Sequence, residues 1–148
     1  MTKSSKSPLP WLIHFFQRHP ADDPKRSVPA REFLDGVSTA VAAEILAVLA
    51  AVAEAPPPAF SGGGKWEAMK AEMSGFYEVR VSGNDTAGRK MNHRMFCRLV
   101  RDADDLGGSS IICIGGLSKP LRSAARPGDY RTIRMLGAEF DRRRSVMK

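Results

Sequence analysis

Arginine at strand spacing is the chemically most suggestive feature of this 148-residue chain: Arg80 in FYEVRV, then Arg94 and Arg98 in HRMFCRLV. Alternate strand residues point to opposite faces, so Tyr77, Val79 and Val81 share one face while Glu78 and Arg80 share the other. The same alternation separates His93, Met95, Cys97 and Leu99, a core set, from Arg94, Phe96 and Arg98. If helices cover only the core face, Arg80, Arg94 and Arg98 are exposed together with Glu78 beside them. Like charges opposed across a sheet destabilise it, and a phosphate between them relieves the repulsion. The alternative is a solvated sheet face on which these arginines pair with Glu78 and do no chemistry.

Other reactive side chains point to structure. His93 falls with the core set, which favours a structural histidine over a general base, and His14 and His19 have no companion motif. Cys97 and Cys113 sit in apolar runs, MFC and IICI, where a thiol behaves as a small hydrophobe. No paired-cysteine spacing accompanies a histidine, so a zinc site is not expected. Gly62 to Lys65 lacks the spacing and the hydroxyl of a phosphate-binding loop.

The elements that must position these residues follow from periodicity. Residues 1–10 are polar and read as a flexible tail, Trp11 to Arg18 as a first strand, and Pro29 to Asp35 as a short helix ended by Gly36. Ser38 is placed to cap a second helix whose Val41, Ile45, Val48, Leu49 and Val52 line one face and which must stop by Pro56. Trp66 to Met73 reads as irregular. Phe76 to Val81, His93 to Val100 and Ser110 to Leu117 then read as an antiparallel meander. A last helix from Pro127 presents Tyr130, Ile133, Leu136, Gly137 and Phe140 on one side. The expected order is β-α-α-β-β-β-α, an α+β domain with an antiparallel sheet, two N-terminal helices on one face, and a C-terminal helix. The domain is expected over residues 11–144, with 145–148 as a second tail.

The net charge is +7, and residues 61–148 hold the surplus, with 17 Lys and Arg against 10 Asp and Glu. Such a field attracts nucleic acid, an acidic protein or an anionic membrane surface. The longest apolar stretch, Val37 to Ala53, is mostly alanine and carries Glu44, which suits a core helix better than a membrane span. MTKSSKSPLP lacks the apolar centre of a secretion signal, so no membrane and a cytoplasmic location are expected.

WEAMKAEMSGFYEVRV, HRMFCRL and IICIGGLSKP, followed by the closing helix, resemble the phage-derived, HigB-like branch of the RelE/HigB toxin superfamily. The resemblance covers residues 11 to 144 and is most specific over Met73 to Val81. It implies a RelE-like fold and a type II toxin that cleaves mRNA on the ribosome through attack of a ribose 2′-hydroxyl on the adjacent phosphate. Carried over position by position, the catalytic cations of the family fall on Arg80, Arg94 and Lys119. The family's second lysine is Pro120 here and its histidine is Gly115, which leaves those positions without a proton-transferring side chain. The connection from Ser82 to Asn92 reads as longer than the family's.

Under that reading Arg80 and Arg94, which cannot deprotonate, stabilise charge on phosphorus, Lys119 serves the leaving oxygen, and Glu78 is the candidate base. Tyr130 is a further RNA-binding side chain, and Arg98, Arg122, Lys70 and Arg89 position the RNA backbone. Neither a metal nor another cofactor is needed for such an attack. The implied partners are the ribosome, mRNA and a helix-turn-helix antitoxin. Two other activities compete with this one: a ParE-like inhibitor of DNA gyrase, and a noncatalytic RNA-binding phage accessory protein.

Overall fold

The apolar alternation of three long strands builds the centre of the molecule. A computed structural model describes residues 10–55, 64–121 and 126–147. In chain order its elements are β1 (Leu12–Phe15), α1 (Pro29–Gly36), α2 (Thr39–Glu54), β2 (Trp66–Ala68), β3 (Tyr77–Asn84), β4 (Lys90–Val100), β5 (Ser110–Pro120) and α3 (Pro127–Arg142). The sheet order is β1-β5-β4-β3-β2. β2 to β5 pair antiparallel, whereas β1 pairs parallel with β5, so the sheet is mixed and not the antiparallel one expected.

Both faces are packed. Val79, Val81, Met95, Cys97, Ile111 and Cys113 meet α1 and α2 through Leu34, Val41, Ile45 and Leu49. The opposite face carries Phe76, Phe96, Ile112 and Ile114 against Ile133, Leu136 and Phe140 of α3. The expectation that helices leave the arginine face open is therefore corrected, because the 3- and 4-residue spacing of those α3 side chains gives it an apolar stripe that must be buried. Arg18 fastens α3 from the other side, donating from Nε and Nη2 to the two oxygens of the buried Glu139 at 2.9 and 2.8 Å.

Local chemistry accounts for the ends of several elements. Ser38 caps α2, its Oγ accepting from the Val41 amide at 3.2 Å, and the helix ends at Glu54 ahead of the proline run. Trp66 lies stacked on Tyr77, with ring centroids 5.3 Å apart, and anchors a short edge strand where an irregular segment was expected. The connection from Ser82 to Asn92 is mostly strand. β3 and β4 pair out to Asn84 and Lys90, and Asp85 Oδ1 closes the turn by accepting from the Ala87 and Arg89 amides.

A bulge in β5 matters for the site. Phe96 pairs with Gly115 but Cys97 pairs with Cys113, so Ile114 is an extra residue. Before the bulge the even-numbered residues of β5 face α3, and after it the odd-numbered ones do. Lys119 is thereby turned to the α3 side, opposite Asn92.

Residues 145–147, expected as a tail, instead border the sheet: Val146 bridges to Phe16 and the Met147 amide donates to the Phe15 carbonyl at 2.8 Å. The tail expected over residues 1–10 lies outside the described residues up to position 9. No described helix is long and apolar enough to cross a membrane.

Candidate active site

Arg80 and Arg94 are directly opposed in the β3–β4 register. Their side chains line one cleft of about 280 Å3, together with Glu67, Lys70, Glu78 and Tyr130. α3 covers the lower part of this sheet face and only its first turns reach the cleft, through Tyr130, which leaves the arginine end open.

Glu78 is the buried member. Only 2% exposed, it accepts through Oε1 from Arg80 Nη2 at 2.7 Å and Nε at 3.3 Å, while Oε2 is buried with no hydrogen-bond partner among the described residues. The second carboxylate on Arg80 is Glu67, which lies opposite Glu78 across β2 and β3. These two acids push the Arg80 guanidinium above its ordinary pKa, Glu78 most strongly through its hydrogen bond. Like charges are thus opposed twice here, Arg80 with Arg94 and Glu67 with Glu78. The protein's own acids relieve the strand-to-strand repulsion at Arg80 that an external anion was expected to relieve.

Arg94 is held differently. Its Nη1 donates to the Tyr130 hydroxyl at 2.7 Å, and its Nε is buried without a partner among the described residues. Tyr130 keeps its position by setting its ring edge-on to Phe96, with centroids 5.8 Å apart. Both residues line the cleft, while the Glu78 Oε2 and Arg94 Nε atoms themselves lie buried behind its surface; such groups are costly unless water meets them.

The remaining expected residues divide. Lys119 pairs with Asp129 at 3.2 Å in the first turn of α3, near this end of the sheet but not in the cleft wall. Lys70 is exposed and in the wall. Arg98 is not part of the cleft: it lies over the Phe76 ring at 4.0 Å and donates to Asp141 at 2.8 Å, tying β4 to the far end of α3. Arg89 stands at the tip of the β3–β4 hairpin, bound to Asp85. Arg122 lies outside the described residues.

Gly115 faces α3, where a Cβ would meet Ile133 at 3.3 Å, so the position lies beneath a helix and away from the cleft. His93 is buried on the α1–α2 side, its Nδ1 2.7 Å from Ser118 Oγ and its Nε2 3.2 Å from the Gly83 carbonyl oxygen, in keeping with a structural role.

Sequence reasoning missed Glu67 and Asp129. Glu67 belongs to a strand of three residues, too short to show a period. Asp129 is in the classic helix-start position, three residues after Arg126, whose amide it accepts from at 2.6 Å; an acid there reads from sequence as a cap, and only its contact with Lys119 links it to the site. Set against the wall's two acids, Lys70, Arg80 and Arg94 leave a single positive charge, less than the basic groove expected. Chemically the cleft offers two guanidinium groups and a tyrosine hydroxyl, with the buried Glu78 carboxylate behind Arg80, a set able to hold a phosphodiester. Searches against protein-family models, curated proteins and solved structures find no match to this chain.

Proposed function

We propose that this protein is a toxin of the RelE/HigB type, a metal-independent endoribonuclease that cuts mRNA on the ribosome. The observation that carries this reading is the convergence of Arg80 and Arg94 on one open cleft whose wall also holds Glu78 and Tyr130. In the proposed reaction the 2′-hydroxyl oxygen bonds to phosphorus, the Glu78 carboxylate takes its proton, and the bond from phosphorus to the 5′-oxygen breaks. Arg80 and Arg94 stabilise the charge that builds on the phosphoryl oxygens. Tyr130, bound to Arg94, is better placed than Lys119 to give the departing 5′-oxygen its proton, because it lines the cleft and Lys119 does not. Lys70 holds a neighbouring phosphate.

The cytoplasm, the ribosome and a helix-turn-helix antitoxin belong to the same proposal, the antitoxin as the partner that covers the cleft. Induced expression tests it. Arg80→Ala and Arg94→Ala are expected to abolish growth arrest and mRNA cleavage with the circular dichroism spectrum unchanged. Toxicity equal to that of the unaltered protein in both variants rejects it.

A second reading, a ParE-like inhibitor of DNA gyrase, draws on the fact that Arg80 and Lys119 are already paired with acids of the chain. Intact mRNA with damaged DNA after induction selects it over the first.

A further inference from the structure

His93 is the buried titratable group that the proposed nuclease leaves unused, and the hydrogen bonds that give it a structural place also prepare it for chemistry. The bulge at Ile114 turns Ser118 to the α1–α2 side of the sheet, where it is the register partner of His93. Nδ1 of the ring lies 2.7 Å from Ser118 Oγ, and Nε2 lies 3.2 Å from the Gly83 carbonyl oxygen. A carbonyl only accepts, so Nε2 carries the proton and, in the neutral imidazole, Nδ1 presents its lone pair. The Ser118 hydroxyl is therefore the donor. Nucleophile, base and the group that orients the base are joined in that order, with a main-chain carbonyl as the orienter. Gly83 lets α2 close over the ring, since a Cβ there would meet Val41 at 2.6 Å.

The pair lines a pocket of about 110 Å3 between the hairpin residues Asp85 and Thr86 and the start of α2 at Ser38. Ser118 is half-buried while His93 is buried, so the serine is presented and the base stands behind it. A cavity of about 150 Å3 accommodates benzene, so this one takes a smaller group, of acetyl size. Ser38 satisfies the Val41 amide, and the Thr39 and Ala40 amides have no acceptor among the described residues. The pocket is thus walled by the partly positive end of a 16-residue helix, which favours a developing oxyanion.

We propose that Ser118 and His93 form a second reactive site, which hydrolyses small acyl esters. Ser118 Oγ bonds to the acyl carbon as its proton passes to His93 Nδ1. The carbonyl electron pair moves onto oxygen and returns as the bond to the alcohol breaks, and the alcohol leaves with the proton from Nδ1. Water then attacks the acyl-serine by the same relay, freeing the carboxylic acid and restoring Ser118. The site is separate from the Arg80–Arg94 cleft, which lies on the other face of the sheet.

Methanesulfonyl fluoride, a reagent of the pocket's size, tests the site on the full chain, with the adduct located by peptide mass spectrometry. The expected result is a methylsulfonyl group on Ser118, with p-nitrophenyl acetate hydrolysed and p-nitrophenyl butyrate slower by about tenfold or more. Ser118→Ala should abolish turnover, and His93→Gln, with its circular dichroism spectrum unchanged, should slow both reactions about 10²-fold or more. Should His93→Gln fail to fold, Thr86→Phe decides, because an exposed hairpin side chain there fills the pocket without entering the core. Loss of labelling in Thr86→Phe supports the site, and full labelling overturns it. Absence of a Ser118 adduct, or acetate hydrolysis by Ser118→Ala at the unaltered rate, also overturns it, as does a folded His93→Gln protein that reacts as fast as the unaltered one.

Discussion

Glu78 is the residue on which the proposed chemistry turns, a buried carboxylate that holds Arg80 through Oε1. Glu78→Gln preserves the shape and a hydrogen bond to Arg80 but removes the proton acceptor. The expected result is a fall in kcat of about 10²- to 10⁴-fold with KM little changed, measured on ribosome-bound mRNA. A fall in affinity without a fall in kcat would make Glu78 a support for Arg80 and nothing more. Cys97 and Cys113 give a second expectation at this scale. They are register partners and wholly buried, and the Cys97 thiol is pushed well above its ordinary pKa by the hydrogen bond with Cys113 and by burial. A thiol reagent at neutral pH should label neither in the native protein and both after denaturation.

At the scale of elements, α3 is positioned by its first turn and by its closeness to the sheet. Asp129 is held below the usual carboxylate range, first by the Arg126 amide and then by Lys119. Its contribution to stability is complete above the unfolded value near 3.8 and is lost as pH falls through the lowered folded value. Acid melting curves of Asp129→Asn should lack that part of the pH dependence, with a lower Tm at neutral pH and a smaller gap from the unaltered protein in acid. β5 is equally constrained where α1 crosses it. A Cβ at Gly116 would lie 2.4 Å from the Phe33 ring, so Gly116→Ala is expected to cost about 1–3 kcal/mol in urea unfolding.

For the whole molecule, two packed faces leave little sheet open, and the cleft lies where α3 reaches Arg94 through Tyr130 beside Arg80 on β3. Much of this was readable from the chain. Alternation in β3 and β4 assigns Arg80, Arg94 and Glu78 to one face and His93 to the other, because a strand's side-chain direction is set by the backbone itself. The spacing of Val41, Ile45, Leu49 and Val52 likewise predicts α2 and its buried stripe. These are local properties, and they determined which elements form and which side chains share a face within each. What only the tertiary structure decided depends on partners distant in the chain: β1 beside β5 and parallel to it, β2 closing the sheet at Glu67, and α3 holding Arg98 through Asp141 and Arg94 through Tyr130. The bulge at Ile114 belongs with these, since one extra residue reverses the facing of everything after it, and no period in β5 announces where the extra residue falls. Arg98 and Lys119 left the expected constellation for that reason: their environments are set by where α3 packs, an outcome of burying its apolar stripe and not of any pattern around either residue.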